Sequence, residues 1–305
     1  MKINQDELLY FKYCILNVKE SKCLFVTIAG LPNAGKSTLI NSIVGKKIAV
    51  VTPKPQTTRT QIRGIIIYNN TQIVFTDSPG LFTAKTILEK SLVKSAWSAI
   101  KGNDVTLLLV DATNYKEKVT DIVKRLRCRC ILVINKIDLI DRPTLKRTYE
   151  FLGVLYNFEK IFMVSALKND GLFDLIHYLS DIAPDSPWFY PENQSTDLSN
   201  SFIAAEITRE KLFLNLYEEL PYATAVVTEQ YMEKKDKSLI IKQVIFVLRN
   251  SHKKIILGKD GNNIKKIGIE ARHELERFFE CQVHLFLFVK VRCWSDRPEE
   301  YIGNV

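Results

Sequence analysis

Residues Gly30-Leu31-Pro32-Asn33-Ala34-Gly35-Lys36-Ser37 decide the fold of this 305-residue chain. This stretch follows the apolar run Leu24–Ala29, which predicts a strand, and opens a helical pattern that continues to Val44. A glycine-rich turn between a strand and a helix points backbone N–H groups and the helix N-terminus at phosphate oxygens. The context therefore predicts a phosphate-binding loop rather than an ordinary turn.

The phosphate loop supplies most of the candidate nucleotide-binding residues. We expect Lys36 to reach the β and γ phosphates, and the Ser37 hydroxyl to ligate Mg²⁺. The residues predicted to contact nucleotide here are Gly30, Asn33, Ala34, Gly35, Lys36, Ser37 and Thr38.

A second motif, Asp77-Ser78-Pro79-Gly80, comes directly after the predicted strand Gln72–Thr76. A carboxylate at this strand end can hold Mg²⁺ through water, and the Gly80 amide can sense the γ-phosphate. Between the two motifs, a switch loop needs a hydroxyl that ligates Mg²⁺ only while the γ-phosphate is present. Thr58 is our first candidate and Thr57 the second. The predicted metal ligands are thus Ser37, Thr58 and Asp77, and the predicted catalytic residues are Lys36, Thr58, Asp77 and Gly80.

The tetrapeptide Asn135-Lys136-Ile137-Asp138 selects the base. The Asp138 carboxylate can accept hydrogen bonds from the ring N1–H and the 2-amino group of guanine. Adenine offers neither donor there and would leave a desolvated carboxylate unpaired. We expect Lys136 to lie over the ring face and Asn135 to tie this loop to the phosphate loop. A backbone amide of Ser165-Ala166 is predicted to meet the guanine carbonyl oxygen, so the three motifs together favour GTP over ATP.

Leu81 stands where many GTPases place a glutamine that orients the attacking water. A leucine cannot do this, so slow intrinsic hydrolysis is expected. Two sources of assistance to GTP hydrolysis remain open. A partner can contribute a group in trans, or Asn33 can help to coordinate a monovalent cation such as K⁺.

Strand-like and helix-like stretches alternate from residue 23 to 183, which predicts a parallel sheet with helices on both faces. Two prolines, Pro184 and Pro187, and the polar run Glu192–Asn200 then predict a linker over residues 184–200. A second domain follows over residues 201–305. It opens with a predicted helix over Phe202–Leu220, and two strand-like runs, a glycine-containing turn, another helix and a last strand follow.

The sequence Gly258-Lys259-Asp260-Gly261 is predicted to lie between a strand-like run and a helix. A GxxG turn lets a single-stranded nucleic acid backbone approach closely, and lysines nearby neutralise its phosphates. Base edges would then be read on an adjacent apolar groove. The candidate RNA-binding residues are Lys253, Lys254, Gly258, Lys259, Asp260, Gly261, Lys265 and Lys266.

The formal net charge of +9 favours a polyanionic partner, either nucleic acid or an acidic membrane surface. The six cysteines form no CxxC pair, and we interpret them as reduced thiols of a cytosolic protein. Neither a signal peptide nor a membrane span is predicted. Residues 1–22 are expected to be a short extension that is packed on the protein or partly disordered, and an amphipathic helix at a membrane is the alternative.

From about residue 23 onward, both halves of the chain resemble the Era family of bacterial ribosome-assembly GTPases. The motifs that carry the resemblance are Gly30–Ser37, Gln56-Thr57-Thr58-Arg59, Asp77–Gly80, Asn135–Asp138, Val164-Ser165-Ala166, Ala205–Leu212, Glu219–Tyr222 and Ile256–Gly261. Leu81 fits that family, whereas Ser78 departs from the commoner threonine.

The resemblance implies an α/β fold, a Ras-like P-loop G domain followed by a smaller α+β type II KH domain. It implies binding of GTP and GDP, Mg²⁺ as cofactor, and recognition of 16S rRNA near its 3′ end during 30S subunit maturation. It also implies a cytoplasmic protein with peripheral contact to the inner membrane, and we expect a monomer.

Two other classes of function compete with this interpretation. In one, a membrane-associated signalling GTPase binds anionic lipid through its basic C-terminal domain, but a lipid-binding face would more often be one amphipathic helix with flanking aromatics. In the other, a GTPase assists RNA modification, but neither a C-terminal thiol near the G domain nor a cofactor site is evident.

Overall fold

The computed structural model describes residues 21–52, 54, 61–81, 87–115 and 119–292. The described residues fall into two compact units. Residues 21–46, 62–81 and 94–197 form the first unit, and the others form the second.

The first unit is built on a six-stranded sheet in the order β2-β3-β1-β4-β5-β6. All its neighbouring strands pair in parallel except β2 and β3, which form an antiparallel hairpin turned by Asn69 and Asn70 at positive φ. Residues such as Leu24 and Leu132 are fully buried, as expected for strands covered on both faces. The strands are β1 Lys22–Gly30, β2 Ile62–Tyr68, β3 Thr71–Asp77, β4 Val105–Asp111, β5 Cys130–Asn135 and β6 Ile161–Met163.

Helices alternate with these strands and have recognisable ends. The first helix, α1 (Lys36–Val44), ends at Gly45 in the left-handed conformation. A later helix, α4, begins behind Asp141, whose carboxylate accepts a hydrogen bond from the Thr144 amide. The remaining helices are α2 Ile87–Lys101, α3 Val119–Val123, α4 Arg142–Gly153 and α5 Leu172–Asp181, with a short 3-10 turn at Ile137–Leu139.

Most of the predicted linker is packed on the first unit. Gln72, on β3, is fully buried, and its side-chain amide bonds to the backbone of Phe189 and Tyr190. Arg63 forms an ion pair of 3.0 Å with Asp197. The chain therefore leaves the first unit at residue 198 rather than at residue 184.

The second unit has a three-stranded sheet in the order β7-β8-β9, with β7 antiparallel and β9 parallel to β8. Its helices bury apolar residues such as Leu212, Ile256 and Ile267 in one core with Ile245 of the sheet. The elements are α6 Asn200–Asn215, β7 Thr224–Glu233, β8 Leu239–Val247, α7 Asn250–Leu257, α8 Asn262–Phe279 and β9 Val283–Val291, with 3-10 turns at Pro221–Ala223 and Lys259–Gly261.

Two expectations for this unit were wrong. The helix predicted to reach Leu220 ends at Asn215, and Glu218 lies just beyond it at positive φ. The run before the GxxG turn is helix α7 rather than a strand, because only Ile256 of its residues is buried while Lys254 and Ile255 are exposed.

The segment that follows α1 belongs to the second unit. The Lys47 ammonium lies 2.7 Å from a Glu210 carboxylate oxygen and 2.8 Å from one of Glu274. The Val51 amide donates to Glu210, and the Lys54 ammonium donates to the Phe213 and Leu216 carbonyls. Desolvation acts to lower the pKa of Lys47, but the two carboxylates outweigh it and raise that pKa.

No helix within the described ranges is both long enough and apolar enough to span a bilayer.

Candidate functional site

The phosphate loop joins the end of β1 to the start of α1. Asn33 and Gly35 adopt positive φ values of 62° and 97°, which turn the backbone sharply before the helix. A Cβ on Gly35 would lie 2.4 Å from the Asn135 amide nitrogen, so only glycine fits there. That amide donates to the Ala34 carbonyl at 2.8 Å, which confirms that Asn135 ties the two loops together.

Lys36 is buried under the loop. Its ammonium donates to the Gly30 carbonyl at 3.3 Å and to the Leu31 carbonyl at 3.0 Å. Desolvation lowers the pKa of this ammonium, while the charge of Asp77 opposes the shift. The cation thus lies within the loop that would surround a phosphate, and its contact with β and γ phosphates stays a prediction.

Two predicted magnesium ligands meet at the start of α1. The Ser37 hydroxyl donates to a carboxylate oxygen of Asp77 at 2.7 Å, and Asp77 ends β3 with no exposed surface. Mg²⁺ prefers oxygen ligands, and this hydroxyl and carboxylate offer them next to the phosphate loop. The residues present therefore fit Mg²⁺. Thr38 is half-buried in the same helical turn. Thr58 and Thr57 lie outside the described residues.

The chain after Asp77 passes close to the phosphate loop. A Cβ on Gly80 would lie 3.0 Å from the Pro32 nitrogen, and the Leu81 amide donates to the Gly30 carbonyl at 2.9 Å. The Ser78 hydroxyl donates to the Ile28 carbonyl at 2.9 Å, so a threonine is not needed for this anchor. Leu81 is only 2% exposed and packs in the core. Its side chain cannot orient a water, as predicted.

The base-recognition residues follow β5. Lys136 adopts a positive φ of 64°, and its ammonium lies 2.5 Å from a carboxylate oxygen of Asp111. The Asp138 carboxylate is exposed and accepts a hydrogen bond of 2.7 Å from the buried Ser165 hydroxyl. A carboxylate oriented in this way can accept both guanine donors.

The Ala166 amide donates to the Asn135 side chain at 3.0 Å, so it is engaged in the link between the loops. Its predicted contact with the guanine carbonyl oxygen stays a prediction. The Ser42 hydroxyl, on α1, donates to the Ala166 carbonyl at 2.6 Å.

Sequence reasoning missed Asp111 and Ser42. Asp111 could have been found, because it ends a parallel strand at the edge where ligands bind in such sheets. No comparable sequence pattern predicts that Ser42 contributes to the site.

In the second unit, the predicted GxxG turn connects α7 to α8. Gly258 and Gly261 adopt positive φ values of 72° and 74°, and Asp260 one of 54°. A Cβ on Gly258 would lie 2.7 Å from the Asn263 Cβ, so the turn is closed tightly over the start of α8. The turn leaves Lys259 and Asp260 exposed.

A groove of about 390 Å³ lies between α8 and β9 and is called the α8–β9 groove below. Lys265 lines it, whereas the exposed Lys266 is 3.9 Å from Glu270. Lys254 is exposed on α7 and Lys253 is half-buried there. The residues that line the groove are Ile264, Lys265, Gly268, Ile269, Arg272, Leu285 and Leu287.

The sequence pattern located the turn but not the groove walls. Ile264, Gly268 and Arg272 follow each other at helical spacing, and Leu285 and Leu287 share one face of β9. These periodicities could have predicted an apolar wall with one arginine. Only the fold shows that both walls face the same groove.

Comparisons with known proteins agree with both units. The family model described as a 50S ribosome-binding GTPase matches residues 25–136, and a KH-domain model matches residues 219–295. The GTPase Era of Ehrlichia canis (strain Jake) is 50% identical over 291 residues, covering 94% of this chain and 98% of that protein. The GTPase Era of Brucella suis biovar 1 (strain 1330) is 47% identical over 282 residues, covering 91% of each.

Two solved structures are similar over almost the whole chain. A single-substitution variant of Aquifex aeolicus Era bound to GDP·AlF₄⁻ has 35% identity and a TM-score of 0.85, covering 91% of this chain and 97% of that one. Era in complex with MgGDPNP and nucleotides 1506–1542 of 16S ribosomal RNA has 35% identity and a TM-score of 0.86, covering 92% and 97%.

Proposed function

The chain belongs to the GTPase Era family, and we propose that it uses bound GTP to control the access of single-stranded RNA to its α8–β9 groove. It is a GTPase with a Ras-like G domain and a KH domain. The nucleotide site lies in the first unit of the chain and the proposed RNA groove lies in the second.

The nucleotide site explains the choice of GTP and a slow intrinsic rate. Asp138, held by Ser165, accepts the two donors that distinguish guanine from adenine. Ser37 and Asp77 would hold Mg²⁺, which when bound neutralises phosphate charge. Lys36 supplies a second positive charge from inside the loop. Leu81 stands where many GTPases have a glutamine that orients water, and its apolar side chain is buried in the core, so it supplies no such group.

The observation that carries the RNA proposal is the α8–β9 groove beside the GxxG turn. Its apolar walls suit the flat faces of unstacked bases, while Lys265 and Arg272 can neutralise phosphates. KH domains clamp about four nucleotides with this combination of turn and groove.

We propose the 3′ region of 16S rRNA, within the small ribosomal subunit, as the target. The support is the solved Era complex with nucleotides 1506–1542 of 16S ribosomal RNA. A role in assembly of the 30S subunit follows as part of the same proposal. The cytoplasmic location, the monomeric state and the contact with the inner membrane stay predictions.

Sequencing of RNA crosslinked to the purified protein, with and without a non-hydrolysable GTP analogue, tests this proposal. We expect enrichment of small-subunit 3′-end reads that depends on the analogue. Gly258→Asp and the milder Lys265→Glu should remove these reads, whereas Lys235→Glu, at the exposed turn between β7 and β8, should not. Random RNA recovery that no variant alters would refute the RNA function.

We also propose that Asn33 helps to coordinate K⁺ during hydrolysis. Its support is the position of this residue in the phosphate loop, where a positive φ turns the backbone before α1. GTP hydrolysis should be faster in potassium than in sodium buffer, and Asn33→Ala should abolish the difference. Equal rates of the unmodified protein in the two buffers would exclude the idea and favour a group supplied by a partner.

A further inference from the structure

Two phenylalanines lie on the outer face of β9, opposite the side chains that line the groove. Strand alternation places Leu285, Leu287 and Val289 on the face that packs against the helices, and all three lie in or against the cores on that face. Phe286 and Phe288 therefore point to the other face of the sheet, where they are 48% and 51% exposed. Half-exposed phenylalanines side by side form an apolar surface that a ligand can cover.

β9 is an edge strand, because the sheet order is β7-β8-β9. No further strand of the described part of the chain separates the α8–β9 groove from the outer face. A nucleic acid strand that leaves the groove across this edge meets Phe286 and Phe288 directly. The outer face is thus continuous with the groove to which the proposed function assigns RNA.

Positive charge surrounds the two rings. Lys242 pairs in register with Phe286 and is exposed, and Lys290 lies two residues beyond Phe288. Arg292 is exposed at the end of the strand. The Glu229 carboxylate also reaches this surface and lies 3.1 Å from the Lys290 ammonium. Such a surface favours a polyanion with flat apolar groups over an uncharged apolar partner.

The spacing of the rings also suits nucleotides. Residues two apart on a strand are separated by about 6.6 Å, roughly twice the 3.4 Å thickness of a stacked base. Each ring can therefore take one base of an extended single strand without crowding the next.

We propose that Phe286 and Phe288 form a second stacking site, which binds bases of single-stranded RNA immediately outside the α8–β9 groove. This inference rests on the proposed function and extends the RNA footprint beyond the roughly four nucleotides of a KH groove.

Binding of fluorescently labelled RNAs of four and nine nucleotides, taken as overlapping pieces of nucleotides 1506–1542 of 16S rRNA, tests the inference. The double variant Phe286→Leu/Phe288→Leu keeps apolar bulk but removes both rings. It should weaken the best nine-nucleotide RNA about tenfold or more, and the best four-nucleotide RNA less than about twofold. Phe286→Trp/Phe288→Trp keeps two aromatic faces and should retain tight binding.

Tyr217→Leu serves as the matched control, because it removes an aromatic side chain of the same unit that is 79% exposed and lies in the loop after α6 rather than on β9. It should leave both affinities unchanged. A nine-nucleotide RNA containing 5-iodouridine outside the groove-binding segment should crosslink to Phe286 or Phe288.

Three results would overturn the inference. They are an unchanged nine-nucleotide affinity in the leucine variant, an equal loss for both lengths, and self-association of the unmodified protein that the leucine variant abolishes. The last result would identify the surface as a protein interface. If no four-nucleotide RNA binds the unmodified protein, the proposed RNA function itself fails. That outcome is distinguishable from failure of the second stacking site, which leaves four-nucleotide binding intact.

Discussion

The Ser165 hydroxyl donates a hydrogen bond of 2.7 Å to a carboxylate oxygen of Asp138. Ser165 is buried, whereas Asp138 is exposed at the position where guanine is recognised. A buried residue thus orients an exposed carboxylate, and the orientation is set before the base arrives.

Ser165→Ala should weaken GTP binding without changing which base is preferred. The variant frees the Asp138 side chain to rotate, and ordering it again on binding should reduce affinity about three- to tenfold. Equilibrium titration with a fluorescent GTP analogue measures the loss, and turnover at saturating GTP should be unchanged. An unaltered dissociation constant would show that Ser165 does not orient the carboxylate.

Asp138→Asn should change the base preference itself. An asparagine side chain can accept the N1–H of xanthine and donate to its 2-carbonyl oxygen. With guanine, its NH₂ group would face the 2-amino group, so two donors would oppose each other. GTP affinity should fall about 100-fold or more, and xanthosine triphosphate should become the better ligand. Asp141→Asn, which alters only the residue that caps α4, is the matched control and should leave GTP binding intact. A retained preference for GTP would place base recognition elsewhere.

Leu81→Gln should not create a faster GTPase. Leu81 is 2% exposed and packs with Ala29 and Leu108, so a glutamine at this position would bury an amide rather than face the nucleotide. We expect an unchanged or lower turnover and a loss of about 2–4 kcal/mol in the free energy of unfolding. Leu81→Met, with similar volume, should cost less than about 1.5 kcal/mol. Acceleration by the glutamine would contradict the buried position of this side chain.

The nucleotide site could be predicted largely from sequence because its residues follow strand ends in a fixed order. Asn135 and Ala34 illustrate this, since a motif after β5 and a motif after β1 meet wherever parallel strands end together. Ser42 illustrates the limit. Its bond to the Ala166 carbonyl depends on the packing of α1 against a distant loop, which no local pattern encodes.

The second unit was less predictable for two physical reasons. The run Ile255-Ile256-Leu257 is short and apolar, and such runs suit a strand or a buried helix equally well. In the helix that forms, Ile256 is the buried residue and the exposed Ile255 lies off the core face. Lys47 pairs with Glu210 and Glu274, which are far from it in sequence. A charge pattern does not predict which residues pair at such a separation.

The ion pairs of Lys47 should make the stability of the second unit depend on pH. Glu274 is partly buried; desolvation acts to raise its pKa, but the hydrogen bond from Lys47 and the charges of Lys47, Lys211 and Arg277 outweigh it and lower that pKa below the ordinary value. A depressed carboxyl pKa stabilises the fold above the unfolded-state pKa of about 4.3, and this stabilisation is lost as pH falls through the folded-state value.

Lys47→Met should therefore lower the free energy of unfolding by about 1–3 kcal/mol at pH 7, because it removes the nearer of the two lysines, Lys47 and Lys211, that contact both Glu210 and Glu274. The difference from the unmodified protein should shrink as pH falls below about 4.3, because the stabilisation from the depressed pKa of Glu274 is lost there. Urea unfolding across this pH range measures both effects. Lys46→Met, which changes the exposed neighbouring lysine, should be nearly neutral at every pH. A loss for Lys47→Met that stays constant with pH would instead assign the effect to packing of its side chain.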